Sequence, residues 1–141
     1  QEIPMGQSET LREGKDLLIL TLGSMVYPSL EAAAELEKEG LSVGVVNCRF
    51  VKPVDPRLGE LSKSIGRVLV VEENIRQGGF GGAVLELFNS LDILNVHMRR
   101  MGLPDKFVEH GASPLLREIY GLDPNGILKE ARDFCQQTQK Q

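Results

Sequence analysis

Two stretches of this chain run almost without polar interruption: Leu17-Leu18-Ile19-Leu20-Thr21-Leu22 and Val68-Leu69-Val70-Val71. Continuous apolar runs of that length suit strands covered on both faces, so these two are expected at the centre of a sheet. Leu41 to Cys48 is a third strand. Ser8 to Arg12 is short and polar, as an edge strand can be. From Val96 to Met101, Val96, Met98 and Arg100 alternate with His97, Arg99 and Met101, so each face mixes apolar and charged groups, which also suits an edge or an interface.

Between the strands the period becomes helical. Gly23-Ser24 breaks the first run, with Ser24 the expected N-cap of a helix that lasts to about Glu39. Val26, Leu30, Ala33 and Leu36 share one side of it, and Gly40 closes its C-terminal end. After the second run, Val84, Leu87, Phe88 and Leu91 mark another helix. Asp55-Pro56, Ser113-Pro114 and Asp123-Pro124 each pair a capping side chain with a proline that loses no internal hydrogen bond at the first helical position. They open helices carrying Leu58, Leu61 and Ile65, then Leu115, Leu116 and Ile119, then Ile127, Ala131 and Phe134. Alternating strands and helices with right-handed crossovers put helices on both faces of the sheet. The expected fold is α/β, a three-layer α/β/α sandwich on a sheet of about five strands. It forms one domain over 1–141, and the polar end from Gln136 to Gln141 is expected to fray.

A length of 141 residues suits one sizeable core. Sixteen Lys and Arg against twenty Asp and Glu give a net charge of −4, with no electrostatic case for nucleic acid. No apolar run approaches the ~18 residues of a membrane span, and the first residues do not resemble a signal peptide. A cytoplasmic protein is the expectation. The chain begins with Gln1, which fits a fragment of something longer or a trimmed protein. Cys48 and Cys135 are too few for a disulfide framework and lack the spacing of a zinc site, so both are read as small reduced hydrophobes.

The segment Val71-Glu72-Glu73-Asn74-Ile75-Arg76-Gln77-Gly78-Gly79-Phe80-Gly81-Gly82-Ala83 reads as strand, tight loop and helix. This is where α/β proteins commonly hold phosphate, yet the required groups are missing. A P-loop needs Lys and then Ser or Thr after its last glycine, and Ala83-Val84 stand there. A dinucleotide fingerprint needs glycine where Val84 lies. The helix N-terminus can still attract an anion; close strand–helix packing at residues with no Cβ is the plainer account. Glu72 and Glu73, adjacent on a strand, point to opposite faces and cannot converge on one bond. One is expected to face a crevice at the strand's C-terminal end, beside Gly23-Ser24 if the two apolar strands are neighbours, while the other pairs locally.

Arg49-Phe50-Val51-Lys52-Pro53-Val54-Asp55 sets two cations before a capped helix. Surface ion pairs explain them, with Arg49 kept as an interface candidate because its guanidinium binds in two-pronged fashion. His110, beside Glu109 in the long connector from Gly102 to Gly111, raises the question of acid–base catalysis. No nucleophile, electrophile or metal site accompanies it, so a loop-holding or subunit-contact role is expected. His97 is read as structural.

Taken together, Arg49 to Asp55, Glu72-Glu73-Asn74, Gly78-Gly79-Phe80-Gly81, Gly102-Leu103-Pro104-Asp105-Lys106-Phe107 and Glu109-His110-Gly111 resemble the C-terminal domain of 1-deoxy-D-xylulose-5-phosphate synthases. Those enzymes belong to the transketolase superfamily. The resemblance runs from about Ile3 to Phe134. The glutamate pair and glycine cluster are also similar to 2-oxo acid dehydrogenase β subunits, whereas Gly-Leu-Pro-Asp and Glu-His-Gly point to the synthase.

The resemblance implies a mixed five-stranded sheet with one antiparallel edge strand. It implies a parent transferase that condenses pyruvate with glyceraldehyde 3-phosphate, releasing carbon dioxide, for isoprenoid, thiamine and pyridoxal synthesis. Thiamine diphosphate and magnesium are the parent's implied cofactors, held by its two preceding domains. This chain has no Gly-Asp-Gly segment followed downstream by Asn, the family's magnesium–diphosphate motif. It is therefore expected to hold no catalytic, cofactor or metal site and to be inactive alone. Its implied partners are the preceding domains of the same chain and a second subunit, with neither nucleic acid nor membrane. The candidate interface is the C-terminal rim: Arg49, Glu73, Asn74, Gly78, Gly79, Phe80, Gly81, Leu103, Pro104, Asp105 and His110. Two alternatives stand beside this reading: a free-standing module binding phosphate at the Gly79 helix terminus, and the C-terminal domain of a 2-oxo acid dehydrogenase β subunit.

Overall fold

A computed structural model describes residues 8–49, 54–75, 79–104 and 114–139. The strands are β1 (Glu9–Arg12), β2 (Leu17–Thr21), β3 (Val43–Asn47), β4 (Arg67–Asn74) and β5 (His97–Leu103). The helices are α1 (Val26–Lys38), α2 (Arg57–Ile65), α3 (Phe80–Ser90), α4 (Pro114–Ile119) and α5 (Pro124–Gln137). One sheet of five strands has the order β1-β3-β2-β4-β5. β2, β3, β4 and β5 pair in parallel, and β1 lies antiparallel to β3 at the edge. Both apolar runs take interior positions side by side, and the two mixed strands take the edges. This is the expected α/β/α sandwich with one antiparallel edge strand.

Each interior strand feeds two cores because successive side chains face opposite ways. Leu17, Ile19, Val43, Val45, Leu69 and Val71 pack with Ala33 and Leu36 of α1 and Ile127, Ala131 and Phe134 of α5. Leu18, Leu20, Val46, Val68 and Val70 pack with Leu58 and Ile65 of α2 and Phe80, Val84 and Phe88 of α3. Cys48 and Cys135 are free thiols buried in these cores, and burial pushes Cys48 up to about 12. Gly66, at φ 88°, is the single residue between α2 and β4; its N–H returns to the Ser62 carbonyl at 2.8 Å. That left-handed turn costs glycine nothing and a β-carbon residue about 1 kcal/mol or more.

Three local expectations change. Ser24 does not cap α1: residues Gly23–Met25 form a 3-10 turn, Met25 precedes the helix without a side-chain cap, and Ser24 turns toward Glu73. In α4, Leu115 and Ile119 face outward and only Leu116 packs on the core. Helix α5 continues through Gln137, because the Arg67 guanidinium donates to the Thr138 carbonyl at 2.7 and 3.1 Å. Asp123 caps α5 as expected, accepting from Gly126 N–H at 2.7 Å. Asp55 accepts from Arg57 N–H at 3.0 Å, but Pro56 takes the N-cap position of α2, which begins one residue later than expected and has no side-chain cap at that position. Ser113 lies outside the described residues. Among those described, no helix is long and apolar enough to cross a membrane.

Candidate functional site at the C-terminal rim of the sheet

Strand β4 carries the glutamate pair to its carboxyl end, next to the end of β2. Opposite β5 the register runs Val71 to Met101 and then Asn74 to Leu103, so one extra β4 residue bulges at Glu72-Glu73. The two carboxylates part to opposite faces. Glu72 is 4% exposed and lies on the α3 side. Its Oε2 accepts from Gly81 N–H at 3.2 Å and from Arg100 Nη2 and Nε at 3.2 and 3.3 Å. Burial raises its pKa; the Arg100 charge and hydrogen bond, then the Gly81 amide, act the other way. A Cβ on Gly81 would stand 2.1 Å from Arg100 Nε, so glycine there leaves the space the guanidinium fills.

Glu73 points to the α1–α4 side. Ser24 Oγ donates to it at 2.8 Å, and Arg117 of α4 lies 3.5 Å away as an ion pair. Arg117 Nη2 also reaches Ser24 Oγ at 3.4 Å, which ties α4 to the ends of β2 and β4. The buried Oδ1 of Asn74 has no hydrogen-bond partner among the described residues.

At the other end of the rim Asp55 is buried. It accepts from the N–H and Oγ of Ser8, both at 2.9 Å, and from the backbone and side chain of Arg57. Burial alone would raise its pKa, but those hydrogen bonds, Arg57's first, outweigh it and hold the carboxyl well below its ordinary range. Nearby Arg49 pairs with Glu9 at 3.0 Å, the surface ion pair expected of it.

The rim therefore gathers Arg49, Glu73, Asn74, Gly79 and Pro104 at or near the surface. Phe80, Gly81 and Leu103 depart from the expected interface: their side of the chain is buried. Phe80 packs with the α2–α3 core and Leu103 with the α1–α5 core, because the apolar periods of α3 and β5 continue to those ends. Gly78, Asp105 and His110 lie outside the described residues. His97 is exposed at the start of β5, where its N–H bonds the Gly66 carbonyl at 3.0 Å.

Sequence reasoning missed Arg100, Ser24 and Arg117 as site residues. Arg100 had a legible signal: it follows Val96 and Met98 at the strand period, so it shares their inward face. Arg117 meets Ser24 ninety-three positions away, and no local pattern announces that contact.

The electrostatics decide what this loop can hold. The α3 N-terminus attracts an anion, and the chain supplies one, Glu72, whose carboxylate already takes the Gly81 amide and the Arg100 guanidinium. An external phosphate would have to approach a carboxylate, with no Lys, Ser or Thr following the glycines. The described residues of this loop lack the Lys and the hydroxyl that would hold a diphosphate group, and no cluster of metal-ligating side chains lies among the described residues.

The model of the transketolase C-terminal domain matches residues 6–127. The chain belongs to this family. The domain is 50% identical over 133 residues to 1-deoxy-D-xylulose-5-phosphate synthase 1 of Geobacter metallireducens, covering 94% of this chain and 21% of that protein. The corresponding synthase of Gloeobacter violaceus is 48% identical over 132 residues, covering 93% and 20%. This transketolase C-terminal domain thus spans about one fifth of the length of its curated relatives, which are larger multidomain chains. Among solved structures, a split-gene transketolase described as an inactive β4 tetramer superposes with TM-score 0.81 at 30% identity, covering 96% of this chain and 43% of that one. A Pichia stipitis transketolase shares the fold at TM-score 0.60 and 22% identity, covering 93% and 18%.

Proposed function

We propose that this chain is the C-terminal assembly domain of a thiamine-diphosphate-dependent 1-deoxy-D-xylulose-5-phosphate synthase. The parent would join pyruvate to glyceraldehyde 3-phosphate with loss of carbon dioxide, in the cytoplasm, using thiamine diphosphate and magnesium held by other domains. The observation that carries this reading is 50% identity to such a synthase across 94% of the chain. The rim chemistry supports a non-catalytic part. Glu72 is consumed by an internal ion pair, and Glu73 faces away from it toward Ser24 and Arg117. The solved relative described as an inactive β4 tetramer supports the same division of labour.

In this reading the domain packs on the preceding domains and supports a dimer. Arg49, Glu73, Asn74, Gly79 and Pro104 form the contact surface, joined by Gly78, Asp105 and His110. Gly79→Val in the full-length enzyme should weaken assembly more than cofactor affinity; a retained dimer with lost cofactor affinity counts against the assembly role. The synthase reading itself is tested by purifying the native polypeptide with antibody to this chain. A mass several times that of the domain, with carbon dioxide release requiring both pyruvate and glyceraldehyde 3-phosphate, is expected. A polypeptide of the domain's own size without that activity overturns it.

A further inference from the structure

Helix α4 turns an apolar side to solvent at the same rim. Leu115 is 66% exposed and Ile119 65%, and four residues on a helix place them on one face. Leu116 and Tyr120 hold α4 to the core from the other side. Arg117, anchored to Ser24 and Glu73, fixes the helix to the sheet. Between α4 and the start of α1 lies a cleft of about 320 Å³, lined by Met25, Pro28, Pro114, Leu122 and Pro124 together with Arg117, Glu118 and Asp123. An aliphatic ridge beside a cleft with five apolar and three charged lining residues matches an interface with an apolar centre and a polar rim.

The course of the chain indicates what covers it. Because β1 is antiparallel, Glu9 pairs with Asn47 at the carboxyl end of β3, and Ser8 is bound to Asp55 at the start of α2. Residue 8, where the described chain begins, therefore lies at the rim that carries α4. In the relatives about four fifths of the length lies outside this domain.

We propose that the Leu115–Ile119 ridge and its cleft dock the domain that precedes this one in the same polypeptide. The inference rests on the assembly-domain reading and deepens it. It assigns α4 as a second contact surface, made within one chain rather than between two copies.

The test uses the full-length polypeptide with Leu115→Asp and Ile119→Asp together, and with the paired Ser substitutions as a milder variant. Limited proteolysis reads how often the junction before residue 8 opens. Sedimentation reads the subunit count, and the thermal midpoint of the 141-residue chain reads whether the domain still folds. The expected result is a folded domain whose junction is cleaved about tenfold faster or more. Unchanged cleavage in a folded variant overturns the proposal. Dissociation to monomers with unchanged cleavage assigns the ridge to a second copy and also overturns it. Loss of folding in both pairs makes the ridge part of the core, with the same consequence. No readout depends on turnover, so accelerated cleavage in a protein that makes no deoxyxylulose phosphate would discard the synthase reading and keep the docking surface.

Discussion

Glu72 and Glu73 are chemically identical neighbours with opposite surroundings. On the Glu72 side the rim is closed: the carboxylate is buried, bound by Arg100 and the Gly81 amide, and raised in pKa by desolvation. On the Glu73 side it is open, with both members of the Glu73–Arg117 pair about one-third exposed. The closed side is an internal strut that shapes the glycine loop. The open side is a polar latch between α4 and the sheet, beside the exposed Leu115 and Ile119. A glycine-rich loop before a helix therefore need not await an anion when the preceding strand already delivers one.

Removing the strut's cation should break the comparison most strongly. Arg100→Met leaves a buried carboxylate without its counter-charge and should cost about 3 kcal/mol of unfolding free energy at neutral pH. Urea titration measures it. The pH dependence follows from the raised pKa of Glu72. The folded state favours the protonated form, so the penalty is absent at low pH and grows as pH rises through the folded pKa. Arg100→Met raises that pKa further, and its deficit against the parent should narrow as pH falls. A gap that stays constant would mean that Arg100 acts through packing alone.

Gly81→Ala probes the same strut from the loop. Its Cβ would displace the guanidinium, at a cost of about 2 kcal/mol. The cost should largely vanish in the Arg100→Met background, because the clash is with that side chain; a double-mutant cycle decides.

Asp55 sharpens the contrast from the same rim, since its pKa is shifted the other way. Asp55→Asn should lose about 2 kcal/mol of charge-assisted hydrogen bonding at neutral pH. A depressed folded pKa gives stability that is present above the unfolded value and lost as pH falls through the folded one. The parent should thus lose its advantage over the variant progressively below about pH 4. Equal stabilities at neutral pH would remove Asp55 as the clasp between Ser8 and α2.

The smallest effect belongs to the open side. Glu73→Ala should cost under about 1 kcal/mol, as an ion pair about one-third exposed does, and its loss should shrink further at high salt. A destabilisation matching that of Arg100→Met would erase the distinction between the two sides.

Much of this protein was set by local pattern. The runs at Leu17 and Val68 were apolar enough to require cover on both faces, and they lie side by side in the interior of the sheet. The short polar strand at Glu9 and the mixed strand at His97 suited edges and take them, and the Asp-Pro pairs marked two helix starts within about one residue. Sequence also showed that the glycine loop lacks the Lys and Ser or Thr of a P-loop and the third glycine of a dinucleotide fingerprint, and that Glu72 and Glu73 must diverge. These conclusions follow from the strand and helix periods and from capping, which act within a few residues.

Tertiary structure alone decided which partner each carboxylate would find. Arg100 is twenty-eight positions from Glu72 and Ser24 forty-nine from Glu73, and only the parallel pairing of β2, β4 and β5 brings their ends together. It also turned Phe80 and Leu103 into the core, drew Ser24 away from the cap it was expected to make, and held the end of α5 through Arg67. Hydrogen bonds and buried ion pairs are short-ranged in space but indifferent to distance along the chain. The sequence therefore named the groups, and the fold chose their partners.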